Sequence, residues 1–286
     1  MTTRILITGS GGILGHALAD IFQEGFEVLA LPRKELDISD ETQVRLVLDD
    51  FDPQVLINAA AYTKVDDCEK NREYAFLING SAVGQLAAIS CQRKIRMVHF
   101  STDYVFDGTK KTLYEIDDVK APINGYGESK SLGEDLLFKN CRGSLLIRSS
   151  WIYGKHGANF VDKILELAES ARAGRIPGLK VVDDQVGSPT YAVDLAQMTK
   201  ALLRSDASGV FHATNSGTCS WYEFAVEILR QSGYSDVKIE AVSSQTIKRP
   251  ARRPAYSVLS LKSLERRGLA MRNWSEALGS YLRCQA

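Results

Sequence analysis

The 286-residue chain is poor in the features that most quickly betray a function. Its five cysteines, Cys68, Cys91, Cys141, Cys219 and Cys284, are scattered and never spaced Cys-x-x-Cys. That pattern supports neither a disulfide framework nor a zinc site, and the expectation is free thiols in a reducing cytoplasm with no bound metal. Charge of one sign is also missing: 35 Lys and Arg balance 35 Asp and Glu, so no global field recruits nucleic acid or an anionic membrane. The amino terminus runs directly into a short apolar segment and then glycines, without the pattern of an export signal. No uncharged apolar run is expected to reach the roughly 20 residues that cross a bilayer, and no internal repeat is present.

What the chain does contain is alternation. Arg4 to Thr8 reads as a buried strand, Gly9 to Gly15 as a glycine loop, and Ile13 to Phe22 as a helix with Leu14, Leu18 and Ile21 on one face. Strand, glycine loop and helix in that order make a phosphate cradle, because bare backbone admits a pyrophosphate and the helix start offers free N–H groups. Gly9, Gly12 and Gly15 space it as Gly-x-x-Gly-x-x-Gly. The second strand, Glu27 to Leu31, ends where an acid would hold an NAD ribose, but the chain reads Leu31-Pro32-Arg33-Lys34. A guanidinium there suits a 2′-phosphate, so Arg33 points to NADPH, with NADH as the second choice. Asp37, with Ile38 beside it, borders the adenine or simply precedes the next helix.

A third strand, Gln54 to Ala60, runs into Ala59-Ala60-Ala61, small residues that let a ligand approach the backbone. Thr63 and Asp66 follow in a polar loop at the carboxyl end of that strand, where open α/β sheets bind ligands. Asn79 falls early in a helix from Ala75 to Gln92. The fourth strand, Arg96 to Ser101, ends in Ser101-Thr102-Asp103-Tyr104-Val105-Phe106. About two dozen residues later come Tyr126 and Lys130, four apart and therefore stacked on one helix face. The lysine is expected to favour the phenolate and bring the tyrosine below its ordinary value of roughly 10. A strand-end hydroxyl with Tyr-x-x-x-Lys suits proton donation to a carbonyl oxygen: Ser101 or Thr102 orients the oxygen, Tyr126 protonates it and Lys130 holds the nicotinamide ribose. Beyond a fifth strand, Ser144 to Ser150, Trp151 offers a flat wall to a sugar or base or belongs to a core. Helices follow at Phe160 to Arg172, Tyr191 to Leu203 and Trp221 to Gln231. The basic residues Lys248, Arg249, Arg252 and Arg253 sit between prolines, placed to meet a diphosphate or to be solvated.

Taken together, Thr8-Gly9 with Gly12, Leu14 and Gly15, Leu36-Asp37-Ile38, Asn58 to Thr63, Ser101 to Gly108, Tyr126-Gly127 with Ser129-Lys130, Asp184-Gln185 with Gly187, and Arg253-Pro254 resemble the dTDP-4-dehydrorhamnose reductase family. This family lies within the extended short-chain dehydrogenase/reductases, and the resemblance spans nearly the whole chain. It implies an α/β, doubly wound parallel sheet of the Rossmann type, with a smaller carboxyl-terminal domain closing over a dTDP-sugar. The expected division is discontinuous: 1–150 and 190–215 for the dinucleotide, 151–189 and 216–286 for the sugar nucleotide. The implied triad is Thr102, Tyr126 and Lys130. Cofactor contacts are expected at Gly9, Gly12, Ile13, Leu14, Arg33, Asp37, Ile38, Ala59, Ala60, Ala61 and Asn79, as well as at Tyr126 and Lys130. Substrate contacts are expected at Thr63, Asp66, Asp103, Trp151, Asn159, Gln185 and Arg253. The implied reaction is NADPH-dependent reduction of the 4-keto group of dTDP-4-dehydro-L-rhamnose by a cytoplasmic monomer or homodimer. Two other readings stay open: an epimerase or dehydratase of the same superfamily, and a binding protein like the regulatory subunit of methionine adenosyltransferase.

Overall fold

The computed structural model describes residues 2–284. Its centre is a six-stranded sheet in which every pairing is parallel. Strands β1 (Arg4–Thr8), β2 (Glu27–Leu31), β3 (Val55–Asn58), β4 (Arg96–Thr102) and β5 (Leu145–Ser149) are joined at one edge by Gly209–His212. The spatial order is β2-β1-β3-β4-β5 followed by that sixth strand, so the winding reverses between β1 and β3. In such sheets the reversal leaves a crevice at the carboxyl ends of the two strands. The central strands are continuous apolar runs because helices cover both faces. One face buries Ile5, Ile7, Ile57, Val98, Ile147 and Leu195, and the other Leu6, Leu56, Met97, Leu86 and Leu137.

A second core gathers Tyr153, Val161, Ile164, Phe224, Ile228, Leu278 and Tyr281 in a smaller lobe. Its helices include Phe160–Arg172, Trp221–Gln231 and Trp274–Arg283. The helix Ala192–Arg204 belongs instead to the sheet, with Leu195 and Leu202 fully buried in the sheet core. Leu264 and Met271 also pack into the sheet core. The segment around 261–271 therefore crosses back to the large lobe, unlike the expectation that all of 216–286 sits with the smaller one.

The helical run Arg72–Gln92 departs from expectation in two ways. By length and composition it is long and apolar enough to cross a bilayer, contrary to the sequence reading, although 61% of its most apolar window is buried inside the protein. It also contains a π-helical turn, Leu77–Ser81, where a single α-helix was expected. Turns of this kind interrupt the regular hydrogen-bond ladder and recur at functional sites.

Candidate active site

The glycine loop lies in the crevice where the winding reverses. Gly9 has a φ of 72°, and a Cβ there would fall 2.5 Å from the Ala60 backbone. Only glycine lets the loops after β1 and β3 meet so closely. The following helix begins at Ile13, and its N-cap, Gly12, supplies no side-chain cap, which leaves the first amides to a ligand.

A cleft of about 870 Å³ extends from this cradle to the triad. Among the expected residues its walls contain Gly9, Gly12, Ile13, Leu14, Arg33, Asp37, Ile38, Ala59, Ala60, Ala61, Thr63, Thr102, Asp103, Tyr126, Lys130 and Trp151. At the far end Arg33 lies over the Tyr74 ring, 5.3 Å from its centroid, and approaches Asp37 at 3.5 Å. Burial pushes the Asp37 carboxyl up, but the Ser39 N–H and hydroxyl, with Arg33, outweigh it and hold the group below the usual range. A bare-backbone cradle, open helix amides and a basic rim fit a dinucleotide carrying an extra phosphate.

Tyr126 and Lys130 sit on the helix Gly125–Asn140, whose start is fixed by Asn124. The Asn124 side chain accepts from the Gly127 N–H at 2.8 Å and donates to the Arg252 carbonyl at 2.7 Å, joining the helix cap to the carboxyl-terminal segment. A Cβ on Gly127 would fall 2.1 Å from the Tyr104 carbonyl oxygen, so the residue after the tyrosine must be small for the helix to seat. Lys130 Nζ donates to the Phe100 carbonyl at 2.6 Å and lies 3.3 Å from His99 Nε2. Burial lowers the Lys130 pKa to about 8, against the pull of Glu134.

The phenol differs from the sequence expectation. Burial and the neighbouring Asp103 carboxylate raise the Tyr126 pKa, with only a smaller opposing contribution from the Thr102 hydroxyl. Because desolvation disfavours the phenolate more than the surroundings stabilise it, Tyr126 is a well-protonated donor rather than a pre-ionised base. Asp103 is itself fully buried and pushed up to about 6, despite hydrogen bonds from Ser257 Oγ at 2.5 Å and Thr102 Oγ1 at 3.0 Å. Tyr104 meets the Tyr126 ring edge to face at 5.9 Å.

Trp151 takes a φ of 47°, which a bulky residue adopts only when its surroundings hold it there. Its ring stacks on Trp221, 3.5 Å between centroids and 10° between planes, and both line the cleft. Both rings pack against the core of the smaller lobe, which thus supplies one aromatic wall of the cleft.

Asn79, Asp66, Asn159, Gln185 and Arg253 lie outside the cleft lining. Fully buried in the π turn, Asn79 accepts from the Tyr62 N–H at 2.8 Å and donates to the Tyr62 carbonyl at 2.9 Å and to Ser129 Oγ at 3.0 Å. It pins the loop after β3 to the helix bearing Tyr126. Arg253 donates twice to Asp66, at 2.9 and 2.8 Å, forming a bidentate clasp between residues 187 apart in sequence. Asn159 caps its own helix and donates to the Gly154 carbonyl at 2.9 Å. Gln185 is half-buried beside the short strand Val186–Gly187. Sequence reasoning overlooked Tyr104, Trp221 and His99 as site residues. The first stood inside a run already singled out, and His99 was a lone polar residue in a buried strand.

The family model described as "RmlD substrate binding domain" matches residues 3–285. The chain is 43% identical to the spore coat polysaccharide biosynthesis protein SpsK of Bacillus subtilis, covering 98% of this chain and 97% of that protein. It is 40% identical to the dTDP-4-keto-6-deoxy-D-glucose reductase of Streptomyces niveus, over 97% and 96% of the two chains. Its fold is similar to the Bacillus anthracis dTDP-4-dehydrorhamnose reductase solved in complex with NADP, with a TM-score of 0.94, 36% identity and 99% of each chain covered. A family match over almost every residue and relatives of matching length agree with the geometry: the chain belongs to the dTDP-4-dehydrorhamnose reductase family of NAD(P)H-dependent oxidoreductases.

Proposed function

We propose that this protein reduces the 4-keto group of dTDP-4-dehydro-L-rhamnose with NADPH, giving dTDP-L-rhamnose. The observation that carries this reading is the convergence of Thr102, Tyr126 and Lys130 on one cleft with the glycine cradle and the Trp151–Trp221 wall. In such a cleft NADPH supplies a hydride to the keto carbon. Gly9, Gly12, Ile13 and Leu14 would receive its diphosphate, and Arg33 its 2′-phosphate. Tyr126, kept protonated well above neutral pH by burial and Asp103, gives its proton to the keto oxygen. The Thr102 hydroxyl, which donates to Asp103 in this structure, would turn its one hydrogen to that oxygen when substrate binds. Lys130, charged below about pH 8, holds the nicotinamide ribose. The sugar rests against Trp151 and Thr63, while Asp66 and Arg253, outside the cleft lining, clasp the carboxyl-terminal segment to the loop after β3.

The division of labour follows the two cores: 1–150 and 190–215 carry the dinucleotide, joined by the returning segment near 261–271, and the remainder carries the sugar nucleotide. The relative from Streptomyces niveus supports a second substrate, dTDP-4-keto-6-deoxy-D-glucose. Incubation with NADPH and each keto sugar separately, following loss of reduced cofactor and the configuration of the product at C4, separates them. Turnover of the gluco sugar alone would replace the rhamnose assignment. No turnover of either would favour a binding protein.

A further inference from the structure

His99 sits in the middle of β4, fully buried, with Asn58 of β3 and Leu146 of β5 as its register neighbours. Its ring bridges two polar groups: Nδ1 lies 3.1 Å from Asn58 Nδ2, and Nε2 lies 3.3 Å from Lys130 Nζ. The remaining contacts fix where its proton must be. Asn58 Oδ1 accepts from the Ala60 N–H at 3.1 Å and from the Thr8 hydroxyl at 2.7 Å. A backbone N–H can only donate, so the amide oxygen is assigned, and Nδ2 is the atom that donates to His99. Nδ1 is therefore an acceptor. Burial, the largest influence, outweighs a backbone contact with Asn58 and holds the imidazole neutral, and a neutral ring with an acceptor Nδ1 carries its hydrogen on Nε2. That hydrogen points at Lys130.

An ammonium has three donors and no lone pair, so a charged Lys130 meets the His99 N–H donor against donor. A neutral amine accepts that hydrogen and still donates to the Phe100 carbonyl. We propose that Asn58 and His99 are positioning residues that set the charge of Lys130, by holding the imidazole in the Nε2–H tautomer that favours the neutral amine. The lowering of Lys130 by burial runs in the same direction. The charged and titratable groups around the pair are Glu134, which pairs with Arg148 and Lys120, on the helix and β5 side, and Tyr126 and Asp103 at the cleft. Glu134 opposes the effect, which makes the imidazole's contribution separable from it.

The consequence for turnover rests on the reductase reading, but the tautomer does not, and it can be read without substrate. Protein labelled with 15N-histidine has four histidines to assign, and His99→Gln identifies the signal of interest. Two-bond proton–nitrogen correlation spectra should show Nε2–H for His99. In Asn58→Asp the new carboxylate accepts from Nδ1, so the tautomer should switch and leave Nε2 free to accept from a charged Lys130. The alkaline loss of NADPH affinity should then move upward by about one pH unit relative to the unmodified protein, and by clearly less in Asn58→Asp with His99→Gln, which keeps the new carboxylate but lacks the imidazole. An Nδ1–H tautomer in the unmodified protein overturns the proposal, even if Asn58→Asp does not fold. A switched tautomer with an unmoved alkaline limb overturns it as well. The expected tautomer in a protein that turns over neither keto sugar would support the proposal while removing the reductase reading.

Discussion

Replacing Asp103 by asparagine should stabilise the protein at neutral pH while damaging its chemistry. Asp103 is fully buried and its pKa is raised from 3.8 to about 6, first by burial, with the bonds from Ser257 and Thr102 recovering only part of the cost. A shift of about two units corresponds to about 3 kcal/mol, since each unit is 1.36 kcal/mol. The folded value lies above the unfolded one, so the native state keeps the proton longer. The stability associated with protonated Asp103 is complete below about pH 4, is lost as pH rises through about 6, and stays lost above that. Asparagine never ionises and escapes this loss, but its amide nitrogen must face one of the two hydroxyls that now donate to the carboxylate. The net gain expected at pH 7.5 is therefore about 1–3 kcal/mol, or roughly 2–5 °C in Tm for a chain of this size. Urea unfolding of both proteins at pH 7.5 and pH 4.5 measures it, and the gap should shrink at the lower pH. Turnover should fall in the same variant, because Thr102 loses the carboxylate that orients its hydroxyl. A variant no more stable at pH 7.5, or a gap that ignores pH, would refute the assignment of Asp103 as a buried, strained acid.

Tyr126→Phe should reduce single-turnover reduction by about 10²–10⁴-fold with NADPH affinity nearly intact, whereas Lys130→Met should lose both; stopped-flow measurement at saturating cofactor distinguishes them. Arg33→Glu should shift the NADPH-to-NADH ratio of dissociation constants by about tenfold, since a charge-assisted contact of about 1.5 kcal/mol is reversed at an exposed side chain already shared with Asp37. An unchanged ratio would make Arg33 a surface residue. Arg148→Met removes from Glu134 two bonds of 2.9 and 2.8 Å in nearly complete burial and leaves it with Lys120 at 3.4 Å, which should cost about 3 kcal/mol in urea. Adding Glu134→Gln should restore much of that loss. Burial raises the Glu134 pKa but Arg148 lowers it further, so this pair's contribution is present above the ordinary glutamate range and declines as pH falls through the depressed value.

The parts legible in the sequence are those whose cause is local. The ranges of β1, β2 and the helices at Phe160 and Trp221 follow from apolar periodicity and caps, and the glycine loop and Tyr126–Lys130 spacing are set within a few residues. Longer-range contacts were not legible. Nothing near Asp66 announces Arg253, and nothing near Trp151 announces Trp221, since each pairing joins segments far apart in the chain that meet only in the folded protein. The direction of the Tyr126 shift was hidden for a related reason: the lysine four residues on is visible, but the depth of burial and the approach of Asp103 are not. Asn79 was expected at the cofactor, but its side chain is taken up by Tyr62 and Ser129; a π turn leaves no mark in periodicity, and its partners come from other elements.

The chain's repeated passage between its two cores bears on how the cleft can work mechanically. It leaves the sheet core after β5, returns in the helix Ala192–Arg204, departs again before Cys219, comes back to bury Leu264 and Met271, and finishes against Tyr281. A hinge concentrates rotation in a few connecting residues that change together. Here every one of these passages would have to bend about a common axis, while the Asp66–Arg253 clasp was sheared. Widening the cleft by a rigid swing of one lobe would therefore bend all of these passages at once and break the Asp66–Arg253 clasp.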